Sequence, residues 1–280
     1  MSLLVVRDLM KSYGGVHAVR GVSFRLDEGE MLALIGPNGA GKSTCFNMLN
    51  GQTKPDVGSV EFRDAGIAGM SPRQIYRLGV GRTFQIAATF NSMTVIENVQ
   101  VALLSHDRAL SRLFGAVKNL RRAEAMALLD RVGLGPQAER ACAELAYGDV
   151  KRLELAMALT NAPRLLLMDE PTAGMAPQER GQLMDLVRAI SRDEKIGVLF
   201  TEHDMDIVFE HADRIMVLDR GKLIAEGDAR SVRDNPAVRA VYLGEGLAFS
   251  AEAQPWAPSC SMSRGWTPGM AARAFSLACR

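Results

Sequence analysis

The sequence predicts an α/β protein: a mostly parallel β-sheet covered by helices on both faces, interrupted by a helical insertion. Three observations predict it. Short apolar runs of strand length alternate with stretches of helical spacing in the second half of the chain. A glycine-rich turn stands directly between one such run and a helical segment. Across residues 86–159 the strand signals fade and helical periodicity takes over.

Taken in order, residues 3–6 are apolar, residues 18–26 alternate, and residues 31–35 form an unbroken apolar run between Gly29 and Gly36. A run that is apolar on both faces suits a buried central strand. A further strand is expected at 59–63, after the turn Lys54-Pro55-Asp56. In the insertion, Ala125, Leu128, Leu129 and Val132 fall at i, i+3, i+4 and i+7, one face of a helix. The α/β pattern then returns. Residues 165–168, 197–201 and 215–218 read as strands, residues 222–226 as an edge strand, and Leu183, Leu186, Val187 and Ile190 as a helix face. Beyond residue 246, Ala, Ser, Pro and Gly dominate, and a poorly ordered tail is expected over 247–280.

Composition narrows the function. Lys and Arg total 33 against 32 Asp and Glu in 280 residues, so the basic excess of a general nucleic-acid binder is missing. No apolar run approaches the roughly eighteen residues that span a bilayer. The first fifteen residues mix charges into a short apolar run, unlike a signal peptide, so a cytosolic chain is expected. Four scattered cysteines lack metal-ligand spacing, and in that compartment structural disulfides are not expected.

The turn after residue 35 carries the chemistry. Gly36-Pro37-Asn38-Gly39-Ala40-Gly41-Lys42-Ser43 matches G-x-x-x-x-G-K-[ST], and Thr44 follows. Glycines let backbone N–H groups wrap a phosphate, and the helix beginning near Lys42 adds the positive end of its dipole. Lys42 is placed to reach the β- and γ-phosphates of a nucleotide and Ser43 to ligate Mg²⁺. A chance match in a chain this long is on the order of one in a hundred. Further on, the apolar strand at 165–168 runs into Asp169 and Glu170. Ligand crevices of open parallel sheets lie at such strand ends. Asp169 suits the Mg²⁺ shell, usually through water, and Glu170 suits polarising the water that attacks the γ-phosphate.

With these motifs in place, residues 1–246 resemble the ATPase subunits of ABC transporters. Tyr13 stands where an aromatic ring usually stacks on adenine. Gln85, in Arg82-Thr83-Phe84-Gln85, matches the glutamine that senses Mg²⁺ and the attacking water. Leu145-Ala146-Tyr147-Gly148-Asp149 occupies the place of the signature, usually LSGGQ. His203, in Thr201-Glu202-His203-Asp204, matches the switch histidine at the γ-phosphate. His17, His106 and His211 have no such support and are read as structural or exposed. The resemblance implies a P-loop NTPase (RecA-like) parallel core, an N-terminal antiparallel β sub-domain and the inserted α-helical sub-domain.

Residues 83–86, 93–99 and 241–245, with the tyrosine of the signature, look like the ATPase subunits of branched-chain amino acid importers, some relatives of which carry amides, urea or small acids. The resemblance implies ATP and Mg²⁺ as ligands and transmembrane permease subunits and a second ABC ATPase subunit as partners. It implies a substrate-binding protein as an indirect partner, and a peripheral location on the cytoplasmic face of the inner membrane. A soluble ABC ATPase outside transport, and an ATP-sensing module with weak turnover, are the alternatives.

The pattern departs at the signature. Its serine, which in the family bonds the γ-phosphate held by a facing subunit, is Ala146, and its last glutamine is Asp149. A hydrogen bond to a charged group is worth ~1.5–3 kcal/mol, so a weakened site and a different partner ATPase are expected. The family's aspartate after the acidic strand is also replaced, by Ala176. For Cys45 a small buried residue is the favoured reading over an acidic thiol at the helix end.

Overall fold

The computed structural model describes residues 2–83, 89–106 and 121–243. The N-terminal strands β1 (Ser2–Tyr13), β2 (Val16–Asp27), β4 (Val57–Phe62) and β5 (Ala65–Gly66) make an antiparallel sheet in the order β2-β1-β4-β5. Between β2 and β4 in sequence, β3 (Met31–Ile35) leaves for a second sheet and is buried at every position. An all-apolar strand can lie only where both faces are covered.

The second sheet has the order β10-β9-β3-β8-β7-β6, with β6 (Val80–Thr83), β7 (Leu165–Asp169), β8 (Gly197–Thr201), β9 (Arg214–Asp219) and β10 (Lys222–Gly227). Five of these strands are parallel, and β10 is an antiparallel edge on β9. Helix α1 (Lys42–Leu49) touches both sheets. Its Cys45, Phe46, Met48 and Leu49 share one core cluster with Leu4, Val6 and Leu9 of β1 and with Leu165, Leu199 and Leu218 of the parallel strands. That shared core fixes the start of α1 at the carboxyl ends of the parallel strands.

The insertion is helical where described: α3 (Val95–His106), α4 (Arg122–Arg131) and α5 (Tyr147–Ala158) pack on one another. The expected face of α4 is buried at Ala125, Leu128 and Leu129, and Val132 beyond its end is buried too. Val95 and Ile96 are core, whereas Phe90 is exposed. In α6 (Pro177–Glu194) the expected face needs one correction: Met184 is buried and Leu186 only half-buried, because the buried stripe runs through Leu183, Met184, Val187, Ile190 and Ser191.

Helix α2 (Pro72–Arg77) and β6 complete the sheet's edge, and α7 (Met205–His211), α8 (Ala229–Asp234) and α9 (Pro236–Leu243) complete the described residues. Sequence periodicity assigned none of these five, since each is too short to show a pattern. The start of the insertion at residue 86 and the tail over 247–280 lie outside the described residues.

Candidate functional site

The turn between β3 and α1 is walled by backbone. Gly36 has φ +149°, and a Cβ there would sit 2.1 Å from the Leu218 carbonyl oxygen of β9. Gly41 has φ +107°, and its Cβ would sit 2.4 Å from the Ala18 carbonyl oxygen of β2. A carbonyl fixed in a sheet cannot step aside, so both positions admit only glycine. The β9–β10 turn holds the far side: the Gly221 amide donates to the Ala40 carbonyl (2.9 Å), and Arg20 N–H donates to the Gly221 carbonyl (2.8 Å).

Within this cradle Ala40 is buried, Pro37 half-buried, and Asn38 and Gly39 are exposed. No side chain caps α1, which leaves its first N–H groups to an anion. Lys42 is 8% exposed, and its ammonium donates to the carbonyls of Gly36 (2.5 Å) and Pro37 (3.2 Å). Ser43 is exposed and Thr44 half-buried. Cys45 is fully buried, and burial pushes its thiol up to about 12, so it is the small packing residue and not an acidic thiol.

The neighbouring strand ends assemble the acidic part. The Thr201 hydroxyl at the end of β8 donates to Asp169 Oδ1 (2.8 Å), and Arg82 of β6 stands 3.5 Å from Asp169 Oδ2. Arg82 also donates to Asn47 of α1 (3.2 Å), tying the strand end to the cradle helix. Glu170 turns off the strand at φ +50°, a left-handed conformation that costs a non-glycine residue ~1–2 kcal/mol. Its amide donates to the Thr201 carbonyl at 3.1 Å. Glu170 Oε1 lies 2.8 Å from His203 Nε2.

A buried carboxylate holds this pair in place. Glu202 Oε1 accepts from the Thr172 amide (2.8 Å) and hydroxyl (2.7 Å), and its other oxygen accepts from the His203 amide (3.3 Å). Burial pushes the Glu202 carboxyl above its ordinary range, its hydrogen bonds pull it back, and the nearby Glu170 adds to the rise. His203 and Glu202 line a cavity of 70 Å³ with Gly36, Pro37 and Asn38, which sets the Glu170–His203 pair beside the cradle.

The remaining expected residues lie farther out. Tyr13 ends β1, is 48% exposed, and has the Lys11 ammonium 5.5 Å from its ring. Ala146 precedes α5 as an uncapped, exposed N-cap. Tyr147 is 47% exposed, while Gly148 is buried with the Glu179 carboxylate beside it. Asp149 accepts from Gln137 (3.0 Å). None of these residues is among those lining the cavity that joins the cradle to His203. Gln85 lies outside the described residues, as does the side chain of His106. His17 is exposed and His211 buried. Sequence reasoning missed Arg82, Thr201 and Glu202 as parts of the site. The last two stand in the same tetrapeptide as His203, and only the fold shows which way their side chains turn.

Comparison with known proteins gives the family. Residues 19–173 match the family model described as ABC transporter. This chain belongs to the ABC transporter ATP-binding cassette family. Residues 222–248 match the model described as branched-chain amino acid ATP-binding cassette transporter. The chain is 43% identical over 252 residues to the high-affinity branched-chain amino acid transport ATP-binding protein LivG of Salmonella typhimurium, covering 87% of this chain and 98% of that one. It is 39% identical over 251 residues to BraF of Pseudomonas aeruginosa, with the same coverage. Among solved structures, a nucleotide-free ATP-binding cassette from an ABC transporter superposes with a TM-score of 0.78 at 31% identity, covering 86% of this chain and 99% of that one. A cassette in its ADP conformation gives 0.77 at 31%, covering 87% and 99%. The chain is thus an ABC-type ATPase with a nucleotide-binding cassette fold.

Proposed function

We propose that this cassette is the ATP-hydrolysing subunit of an importer for branched-chain amino acids or related small amides, acids or urea. The observation that carries the hydrolytic part is the Glu170–His203 pair, 2.8 Å apart, beside the cradle of Lys42. The cargo class rests on the names of the relatives and on the match of residues 222–248.

The cradle N–H groups and Lys42 bind the triphosphate, and Tyr13 stacks on the base. Glu170 accepts a proton from the attacking water, and His203 fixes the Glu170 carboxylate and faces the γ-phosphate. Ser43, Gln85 and, through water, Asp169 would hold Mg²⁺, which supplies charge neutralisation at the phosphates. The donors fit a hard cation, being a hydroxyl, an amide and a carboxylate. A facing subunit would receive Ala146, Tyr147 and Gly148 at its own triphosphate. The missing serine hydroxyl points to an asymmetric pair with a different cassette. Permease subunits dock in the groove between the helical region and the core, and a substrate-binding protein delivers cargo from outside. The chain then works at the cytoplasmic face of the inner membrane, with residues 1–246 as the cassette and 247–280 as a tail outside it. Among the described residues no helix is long and apolar enough to cross a membrane.

The test is purification of the full chain from solubilised membranes. Polytopic subunits and a second cassette should accompany it. In vesicles, turnover should rise with an amino-acid-loaded binding protein, and Glu170→Gln should cut turnover about 10²–10⁴-fold while nucleotide binding persists. A chain that purifies without membrane partners and hydrolyses ATP cooperatively at full rate would refute the transport role and the asymmetric pair.

A further inference from the structure

Helix α5 carries two buried charges where an amphipathic helix would place apolar side chains. Lys151 and Glu154 stand at i and i+3, with side chains 3% and 7% exposed and the ammonium 3.1 Å from Glu154 Oε2. Burying both charges costs desolvation, and such a pair is a poor device for stability alone. Its placement suggests another use. Glu154 lines a 270 Å³ groove whose other walls include Tyr76 of α2, Arg82 of β6 and Ala102 of α3. At the other end of the pair, the Lys151 ammonium lies 5.6 Å from the ring centre of Tyr147, in the signature. The Tyr147 ring in turn covers Gly174, in the loop after Glu170: a Cβ on Gly174 would lie 3.2 Å from it. A continuous line of contacts runs from the groove to that loop.

We propose that Glu154 and Lys151 are positioning residues that report occupancy of this groove to the signature and to the Glu170 loop. The proposal rests on the transport reading, in which a cytosolic segment of the permease fills the groove. That segment displaces water from Glu154 and lowers the local dielectric, which strengthens the pull of the carboxylate on Lys151. The ammonium shifts its share of attraction from the Tyr147 ring to Glu154. Tyr147 is released to move against Gly174, and the signature N-terminus moves with it. Two sites are thereby coupled through one shared cation, which lies within reach of both the Glu154 carboxylate and the Tyr147 ring.

The experiment compares ATPase rates of the isolated full chain and of the transporter assembled with its co-purifying membrane subunits. The informative variant is the neutral pair Lys151→Met with Glu154→Leu, which removes both charges at similar volume and is expected to fold. Its basal rate and KM for ATP should stay within about twofold of the original, its assembly should be intact, and its stimulation by the membrane subunits should fall at least about fivefold. Lys151→Arg, which keeps a cation at the ring, should retain stimulation. The proposal is overturned if the neutral pair is stimulated like the original protein. It is equally overturned if basal and stimulated rates fall by one common factor, since the pair would then serve the fold alone. An original chain that gains no membrane subunits would sink the transport reading itself, and the groove would lose its occupant.

Discussion

The turns that lead into α1 and α5 are built in opposite ways. The cradle before α1 is enclosed by backbone: carbonyls of Leu218 and Ala18 block any Cβ at Gly36 and Gly41, and Lys42 is buried against the loop's own carbonyls. The signature before α5 is open: Ala146 and Tyr147 are exposed, and the neighbour of Gly148 is the end of a flexible Glu179 side chain. Neither helix has a side-chain cap. The cradle is thus a finished pocket within one chain. The signature is an open surface, which in the proposed pair of cassettes is completed by the facing subunit.

Substitution should expose the difference most strongly at the glycines. Gly36→Ala meets a fixed carbonyl as well as an unfavourable backbone angle, and should cost roughly 2–6 kcal/mol in denaturant unfolding. Gly148→Ala meets only a movable carboxylate and gains helix propensity, so its stability should stay within about 1 kcal/mol. Equal losses at the two positions would erase the contrast.

A smaller, opposite effect is expected from Ala146→Ser. The hydroxyl supplies the N-cap that α5 lacks, worth about 1 kcal/mol in unfolding. In the assembled pair of cassettes it should also strengthen ATP-dependent association, measured by sedimentation in the Glu170→Gln background. A serine that leaves both unchanged would mean that the signature's exposed N-terminus faces no phosphate.

The smallest effect is one of pH and lies away from both turns, near the amino end of β3. His211, at the end of the helix that follows His203, is buried. Burial and then Arg188 push its imidazole below the ordinary histidine value, while Glu210 and Asp185 oppose them. The unfolded chain therefore binds the proton more readily. Stability that is present above the ordinary histidine pKa is lost as pH falls through the lower folded value. Thermal unfolding between pH 7.5 and pH 5, a range set around the ordinary histidine value of ~6.5, should show this loss. His211→Gln should flatten it.

The sequence made the enclosed turn legible and the open one only partly so. Gly36 and Gly41 sit at positive backbone angles, which a glycine motif of fixed spacing records, although the carbonyls that wall them come from distant strands. The apolar runs at β3 and β7 declare burial on both faces, and Asp169 and Glu170 mark where burial stops. Strand β6 was not legible because Val80-Gly81-Arg82-Thr83 has no alternation; it is a strand by virtue of pairing with β7. For the same reason the role of Arg82 beside Asp169 emerged only from the fold. Glu202 was hidden because an acidic residue next to a histidine reads as solvated. Its burial depends on Thr172, thirty residues earlier in the chain.

The central claim is that Lys42 and its cradle hold a triphosphate beside Glu170. Calorimetric titration of ATP with Mg²⁺ into the full chain carrying Glu170→Gln, with and without Lys42→Ala, tests it most directly. Loss of a charge-assisted hydrogen bond worth ~1.5–3 kcal/mol should weaken binding about ten- to hundredfold. Identical affinities in the two proteins would contradict the account.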